Sequence, residues 1–323
     1  MPDSPSSFSH ERLPLMYDVI VIGGSWAGLA AALQLVRARR RVLIVDAGRP
    51  RNRFARTAHG FLGQDGKTPV AIVEEVRGQV LSYPTAEHRV DEALQAWRAG
   101  EGSGEGFAVG LASGATVHGR RLMLATGIVD DLPEIPGLRE RWGATVLHCP
   151  YCHGYEMADR RLGVLAVGEH SLHSAMLIRD WSEHVTLFTD GVLEPGEGQR
   201  AALEARGVRV EERTVEELLG SGPALEGVRL RGGDVVPLEA LFTTSRTRMA
   251  SPLAEQLGCE FKDGRFGPVI VTDRLRETTV PGVYAAGDAV RSSHNATWAA
   301  SDGVTAGISA HQSLLPRLPA SPE

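Results

Sequence analysis

Tyr17-Asp18-Val19-Ile20-Val21-Ile22-Gly23-Gly24-Ser25-Trp26-Ala27-Gly28 is the stretch that decides the fold. Six residues dominated by β-branched side chains read as a strand buried on both faces, and a glycine pair follows at once. Leu29 to Arg39 reads as a helix, and Arg41-Val42-Leu43-Ile44-Val45 reads as a second strand that ends at Asp46. Strand, glycine turn, helix, strand and terminal acid form a βαβ unit with a dinucleotide fingerprint. Gly23 permits the tight turn, and Gly28 lets helix and strand approach closely. Ser25 stands where the fingerprint has its next glycine. The helix start offers N–H groups to a pyrophosphate, and Asp46 can accept from a ribose hydroxyl.

Further on, the sequence is loop-like from Arg53 to Gly66, and a helix is expected from Pro69 to about Ser82. Segments near Glu87–Arg98, Gly106–Leu111 and Thr116–His118 suggest a small inserted sheet, with residues 100–105 as a hairpin loop. A second apparent βαβ occupies the middle of the chain. Leu162–Val167 is its first strand, Gly168 opens the turn, Ser171–Trp181 is helical and Val185–Phe188 is the next strand. Gly227–Leu230, Leu238–Phe242, Pro268–Val271 and Gly282–Ala286 read as later strands, and Thr297 to Leu314 as the last helix. The fold class expected is therefore α/β, with two Rossmann-like three-layer domains, the first discontinuous and the second inserted into it.

The chemistry concentrates at His148-Cys149-Pro150-Tyr151-Cys152-His153-Gly154-Tyr155-Glu156. Two sulfurs one turn apart can cycle between dithiol and disulfide. A helix starting just after the first would lower its pKa and so supply the attacking thiolate. The alternatives for this spacing are two buried thiols and half of a zinc site. A zinc site needs two more ligands, and no second cysteine pair exists, so no metal is expected. The third cysteine, Cys259, reads as a small buried thiol.

Composition narrows the class. The 323 residues suffice for two domains, and 42% apolar with 23% charged is ordinary for a globular chain. A net charge of −6 and the absence of a basic stripe argue against nucleic acid and anionic membranes as partners. Residues 1–15 are polar and Ser/Pro-rich, without the apolar core of a signal peptide, and read as a disordered tail; 316–323 reads as a second tail. No apolar run reaches membrane-spanning length. A cytoplasmic location is expected, where a CxxC is more often catalytic than structural.

Four landmarks now stand in order: GGSWAG at 23–28, ATG at 125–127, CPYC at 149–152 and GVYAAGD at 282–288. Together they resemble the low-molecular-weight thioredoxin reductase family of flavoproteins, from Tyr17 to about Leu314. The resemblance implies FAD held by an outer domain of residues 16–128 and 244–315, a CxxC-bearing, NAD(P)-binding-like domain of 129–243, and a homodimer. Carried over by position, Gly23, Gly24, Ser25, Trp26, Ala27, Gly28, Asp46 and Ala47 would hold the ADP half of FAD. Ala125, Thr126 and Gly127 belong to the same site, and Gly287 and Asp288 would hold the pyrophosphate and ribityl region. Gln64 and Asp65 would approach the flavin ring through their loop. His294-Asn295-Ala296-Thr297 aligns with the family's Arg-Gln-Ala-Val, whose backbone N–H groups would face the flavin N1/O2 edge. Cys152 would face the flavin C4a, and Cys149 would exchange with the substrate sulfur. Trp26 and Trp298 are candidates for covering the cofactor and lining the substrate pocket, or for packing.

Three departures from the family change the functional reading, and the first two argue against NADPH. The second glycine fingerprint reads Gly168-Glu169-His170-Ser171-Leu172-His173, with only its first glycine kept. Imidazole bulk and a carboxylate both oppose a diphosphate there. The following strand ends Leu187-Phe188-Thr189-Asp190-Gly191, without an arginine for a 2′-phosphate, although Asp190 could suit a 2′-hydroxyl. Third, His153 follows the CxxC where thioredoxin reductases have Asp, and can serve as a base or as a structural polar group. The CPYCHGYE run is similar to that of dithiol oxidases that keep FAD and the CxxC, lack a working NADPH site and pass electrons to oxygen. The reading is thus an FAD-dependent thiol–disulfide oxidoreductase with Cys149, Cys152, His153 and His148 as catalytic residues, most simply a dithiol oxidase. Its partner would be a dithiol or disulfide, on a small molecule or a thioredoxin-like protein. The alternatives are an NAD(P)H-dependent thioredoxin reductase, a reductase fed by another electron donor, and a non-enzymatic flavin redox sensor.

Overall fold

The computed structural model describes residues 16–100 and 106–316; both expected tails, apart from Pro316, and nearly all of the expected hairpin loop lie outside the described residues. The first part of the chain runs β1 (Met16–Ile22), α1 (Trp26–Arg37), β2 (Val42–Asp46), α2 (Pro69–Leu81), β3 (Ala86–Val90), β4 (Ala93–Arg98), β5 (Phe107–Leu111) and β6 (Thr116–Leu124). These strands form one sheet in the order β3-β2-β1-β6-β5-β4. Val19, Ile20, Val21, Val42, Leu43 and Ile44 are wholly buried, as the unbroken apolar runs require.

The expected small inserted sheet is not separate. Asp91 and Glu92 divide residues 86–98 into two strands, and β3 pairs in parallel with β2. β4 and β5 form an antiparallel edge on β6, which also pairs along β1 from His118 to Leu124. The period-2 signal marked these segments as strands but could not say whether they extended an existing sheet or began another.

Between β6 and the return to this sheet lie β7 (Ile128–Asp131), β8 (Val146–Leu147), α3 (Pro150–His153), β9 (Arg161–Leu165), α4 (His170–Ile178), β10 (His184–Phe188), α5 (Glu197–Ala205), β11 (Val208–Glu211), β12 (Val215–Leu219), β13 (Gly227–Leu230), β14 (Val235–Pro237) and β15 (Ala240–Thr243). A second parallel sheet has the order β11-β10-β9-β15-β8, and β12-β13-β14 makes a small antiparallel one. The chain returns through β16 (Arg246–Met249), α6 (Leu253–Gln256), the hairpin β17 (Phe261–Asp263) and β18 (Pro268–Ile270), β19 (Val283–Ala285) and α7 (Ala296–Gln312). β16 lies antiparallel against β7, so the outgoing and returning crossings are zipped together. β19 adds to the first sheet by pairing with Leu122–Leu124 of β6.

The buried side chains follow this division. Two apolar clusters draw on residues 17–124 and 253–314, and two more draw only on residues 138–242. The helices α1 and α7 close one face of the first sheet at unusually short range. A Cβ on Gly303 would sit 2.1 Å from the Ala27 carbonyl oxygen, and one on Gly307 2.6 Å from that of Ala31.

Candidate active site

Cys149 and Cys152 are joined as a disulfide with their Cα atoms 5.3 Å apart. Cys149 caps the single turn α3, and its carbonyl accepts from the N–H groups of Cys152 and His153, each at 3.2 Å. Pro150 suits the first helical position because its missing N–H would have had no partner there. Tyr151 on this turn and Tyr155 just after it are 71% and 84% exposed, so the cysteine pair sits beside aromatic surface open to a substrate. Tyr151 also packs edge-on against Trp181 at 5.5 Å.

The loop between Ala55 and Thr68 lies against this turn. His153 is held by a backbone hydrogen bond at Thr57, and its ring stands edge-on to His59 at 6.5 Å. His59 Nε2 lies 3.0 Å from Thr57 Oγ1 and 3.4 Å from Glu156 Oε1, while its Nδ1 lies 3.5 Å from Asp65 Oδ2. Asp65 also accepts from the Gly60 N–H at 2.8 Å, and these bonds hold its carboxyl below the usual range. Burial lowers the pKa of His153, against the pull of Glu156, and its Nε2 is buried without a partner. A neutral imidazole with an open nitrogen beside the dithiol can accept a proton. Sequence alone does not mark His59 and Glu156 as site residues. Glu156 closes the run that holds the CxxC and His59 lies in the stretch from Arg53 to Gly66, and nothing in their spacing brings them together.

On the other side, His148 is pushed down to about 4, first by burial and then by the positive charge of Arg51. Its ring lies 6.1 Å from Phe266 and 6.3 Å from His294. Arg51 makes a two-pronged ion pair with Asp130 at 2.6 and 2.8 Å and reaches Asp288 at 3.0 Å. Burial would raise the Asp130 carboxyl, but Arg51 holds it below its ordinary value. Arg51 carries no motif, and its role was not legible before the fold joined residues 51, 130 and 288.

The first glycine turn fits a dinucleotide. Gly23 has φ +105°, and a Cβ there would meet the Ala125 carbonyl oxygen at 2.2 Å, so the ATG segment presses directly on the turn. A Cβ on Gly24 would meet the Asp46 carboxylate at 2.7 Å, which puts the acid over the turn. Ser25 is the N-cap of α1 but makes no side-chain cap bond, and no acidic residue occupies the first turn. The N-terminal N–H groups of α1 are thus left for an anion. Gly287 packs against Ala27, and Trp26 meets Phe61 edge-on at 5.1 Å, which ties the turn to the loop that reaches the dithiol. Asn295 caps α7 by accepting from the Thr297 N–H at 2.8 Å, so that N–H, expected to face a flavin, has an internal partner. Gln64 Oε1 is buried without a partner, as a ligand-facing group would be.

The second turn is built differently. His170 opens α4, and its Nε2 lies 2.7 Å from Thr244 Oγ1 while its ring stands edge-on to Phe266 at 5.4 Å. The Ser171 N–H donates to the Gly168 carbonyl and the Leu172 N–H to that of Glu169. The Ser171 hydroxyl accepts from the Val167 N–H at 3.1 Å. Asp190 accepts from the Val215 N–H at 2.7 Å, and burial raises its pKa. Beside His148, Ser171 and Thr243 the enclosed space is only about 20 Å³. Trp298 is 46% exposed, and its ring lies 5.9 Å from the Arg291 guanidinium. Cys259 is buried, and burial raises its thiol pKa. Among the described residues, no group of three or more His, Cys, Asp or Glu side chains could hold a metal ion, and no helix is long and apolar enough to cross a membrane.

The pyridine nucleotide-disulphide oxidoreductase family matches residues 17–303. The chain belongs to that family. Among its relatives, the thioredoxin reductase tcpT of Claviceps purpurea is 33% identical over 93% of this chain and 98% of its own. The thioredoxin reductase sirT of Leptosphaeria maculans is 32% identical over 91% of this chain and 93% of its own. The crystal structure of an oxidoreductase from Agrobacterium tumefaciens superposes with a TM-score of 0.87 at 45% identity, covering 93% of this chain and 99% of that one. This pyridine nucleotide-disulphide oxidoreductase is thus a thioredoxin reductase-like, FAD-dependent enzyme with a disulfide-type redox role.

Proposed function

We propose that the enzyme is a dithiol oxidase that works without a pyridine nucleotide, with FAD in the domain of residues 16–128 and 244–315 and the redox pair in that of 129–243. The observation that carries this reading is the second glycine turn. The His170 ring, bonded to Thr244, stands where a diphosphate would have to approach the backbone. Neither α1 nor α4 has a side-chain cap, but the Ser171 and Leu172 N–H groups at the start of α4 are turned onto the Gly168 and Glu169 carbonyls at 3.0 and 3.1 Å. Asp190, the acid that a ribose would use, is bonded to Val215.

The residues present account for the thiol chemistry. A substrate thiolate attacks the Cys149 sulfur, the Cys149–Cys152 bond breaks, and Cys152 leaves as thiolate. His153 takes the proton of the second substrate thiol, which then attacks the substrate sulfur bound to Cys149. The substrate leaves as a disulfide, Cys149 leaves as thiolate, and two electrons remain on the cysteine pair. His153 suits the proton transfer better than His148, because a base held at about 4 has little driving force at neutral pH. Bound FAD supplies the acceptor that returns the pair to the disulfide, with dioxygen taking the electrons as hydrogen peroxide.

An NAD(P)H-dependent reductase is the second reading, favoured by the thioredoxin reductase names of the fungal relatives. An anaerobic titration separates the two. Bleaching of the flavin absorbance by a small dithiol but not by NADPH or NADH, reversed by air, is expected. Rapid bleaching by either nucleotide would overturn the proposal.

A further inference from the structure

We propose that a cleft remote in sequence from the dithiol turn is a binding site for a doubly charged oxyanion of the phosphate monoester class. The cleft, of about 320 Å³, lies between the β17–β18 hairpin and the segment that leads into α7. Val269 and Val290 line it, together with Lys262, Arg276, Arg291 and the hydroxyl-bearing Ser292 and Ser293. No carboxylate lines it. A Cβ on Gly264 would stand 2.9 Å from Ser292 Oγ, so the glycine leaves room for that hydroxyl.

The charges do not balance internally. Asp302, 1% exposed, accepts from Arg276 Nη2 at 2.5 Å and from Arg291 Nε and Nη2 at 2.5 and 2.7 Å. One carboxylate thereby fixes two guanidinium groups and neutralises one of them. Lys262, one of only two lysines in the chain, makes no ion pair among the described residues. Two positive charges are in excess. Arg276 Nε is buried without a partner, and a guanidinium N–H so placed calls for an acceptor. Arg276 has φ +68°; its carbonyl accepts from the Ala285 N–H at 3.0 Å and its own N–H donates to Asp273. Neutralising Asp302 would need one arginine and no lysine. Two pinned planar forks, an ammonium and two hydroxyls are the donor set that recognises a tetrahedral oxyanion. The volume holds a phosphate group with its immediate substituent, but is too small to enclose a dinucleotide, given pockets of about 300–1,000 Å³ for drug-sized ligands.

Isothermal titration of the FAD-loaded enzyme with inorganic phosphate, and separately with glycerol 3-phosphate, against chloride at equal ionic strength tests this. One saturable equivalent per chain is expected, weakened about 10-fold by Lys262→Ala and further by the Ser292→Ala/Ser293→Ala pair, since each removes donors to a charged acceptor. Neither substitution touches the Asp302 ion pairs, and an unchanged flavin spectrum would verify the fold. Tighter binding of glycerol 3-phosphate would identify a monoester, and equal binding the free ion; both support the site. No saturable binding by the parent enzyme, or binding that both variants leave intact, would overturn it.

Discussion

At the scale of single residues, the proposed electron path makes Cys152 and Cys149 unequal. Cys152→Ser should keep FAD bound while abolishing reduction of the flavin by dithiols, because without Cys152 there is no disulfide for the substrate thiolate to open and no thiolate to pass electrons on. Stopped-flow absorbance is the measurement, and persistent fast bleaching in that variant would sink the assignment. For His153 the sign follows from burial, which lowers its pKa below the ordinary 6.5. The neutral base is present above that lowered value and is lost as pH falls through it, so the thiol half-reaction should decline on an acid limb below about 6.5. His153→Ala should slow this step by about 100-fold and remove the limb, within the range for loss of a general base. An unchanged pH profile would return His153 to a structural role. The Cys149–Cys152 disulfide and the histidine beside it could be read from sequence because they occupy neighbouring positions. The contacts of His59 with Glu156, and of Arg51 with Asp130 and Asp288, could not, because loop closure alone brings those segments together.

At the scale of elements, α1 and α7 approach through Ala27, Ala31, Gly303 and Gly307, with backbone facing backbone. Gly303→Val should cost about 3 kcal/mol, at the upper end of overpacking effects, because the Ala27 carbonyl is main chain and cannot rotate away. A urea midpoint would show it, with weaker FAD retention, since Ala27 also lies in the first turn of α1 beside the glycine loop. A stability equal to the parent would mean that the helices can separate at little cost. Periodicity located α1, α2, α4 and α7 to within a few residues, because each carries an apolar stripe or a clear stop. It missed that β3 joins the first sheet and that β6 serves β1 on one side and both β5 and β19 on the other. Pairing partners are not written in a strand's own alternation.

At the scale of the whole molecule, the outer and middle segments meet around Phe266. His148 and His170 come from the middle segment, and Phe266 and His294 from the returning chain. Burial lowers the pKa of all three histidines. Arg51 and Arg265 add positive charge to this region, and Asp130 and Asp288 oppose it. A histidine whose folded pKa is depressed contributes its full stability above the unfolded value of 6.5 and loses it as pH falls toward the folded value. For His148 that window runs from 6.5 down to about 4. The loss is at most about 3 kcal/mol, from 1.36 kcal/mol per pH unit. Acid should therefore loosen this junction before it unfolds either sheet. Urea midpoints taken from pH 7 to pH 4 should fall for the parent enzyme and fall less steeply for His148→Gln, which cannot titrate. Equal slopes for the two proteins would assign the acid loss to other groups. The contact between the segments would then rest on the paired β7 and β16 strands and the Arg51–Asp130 ion pair.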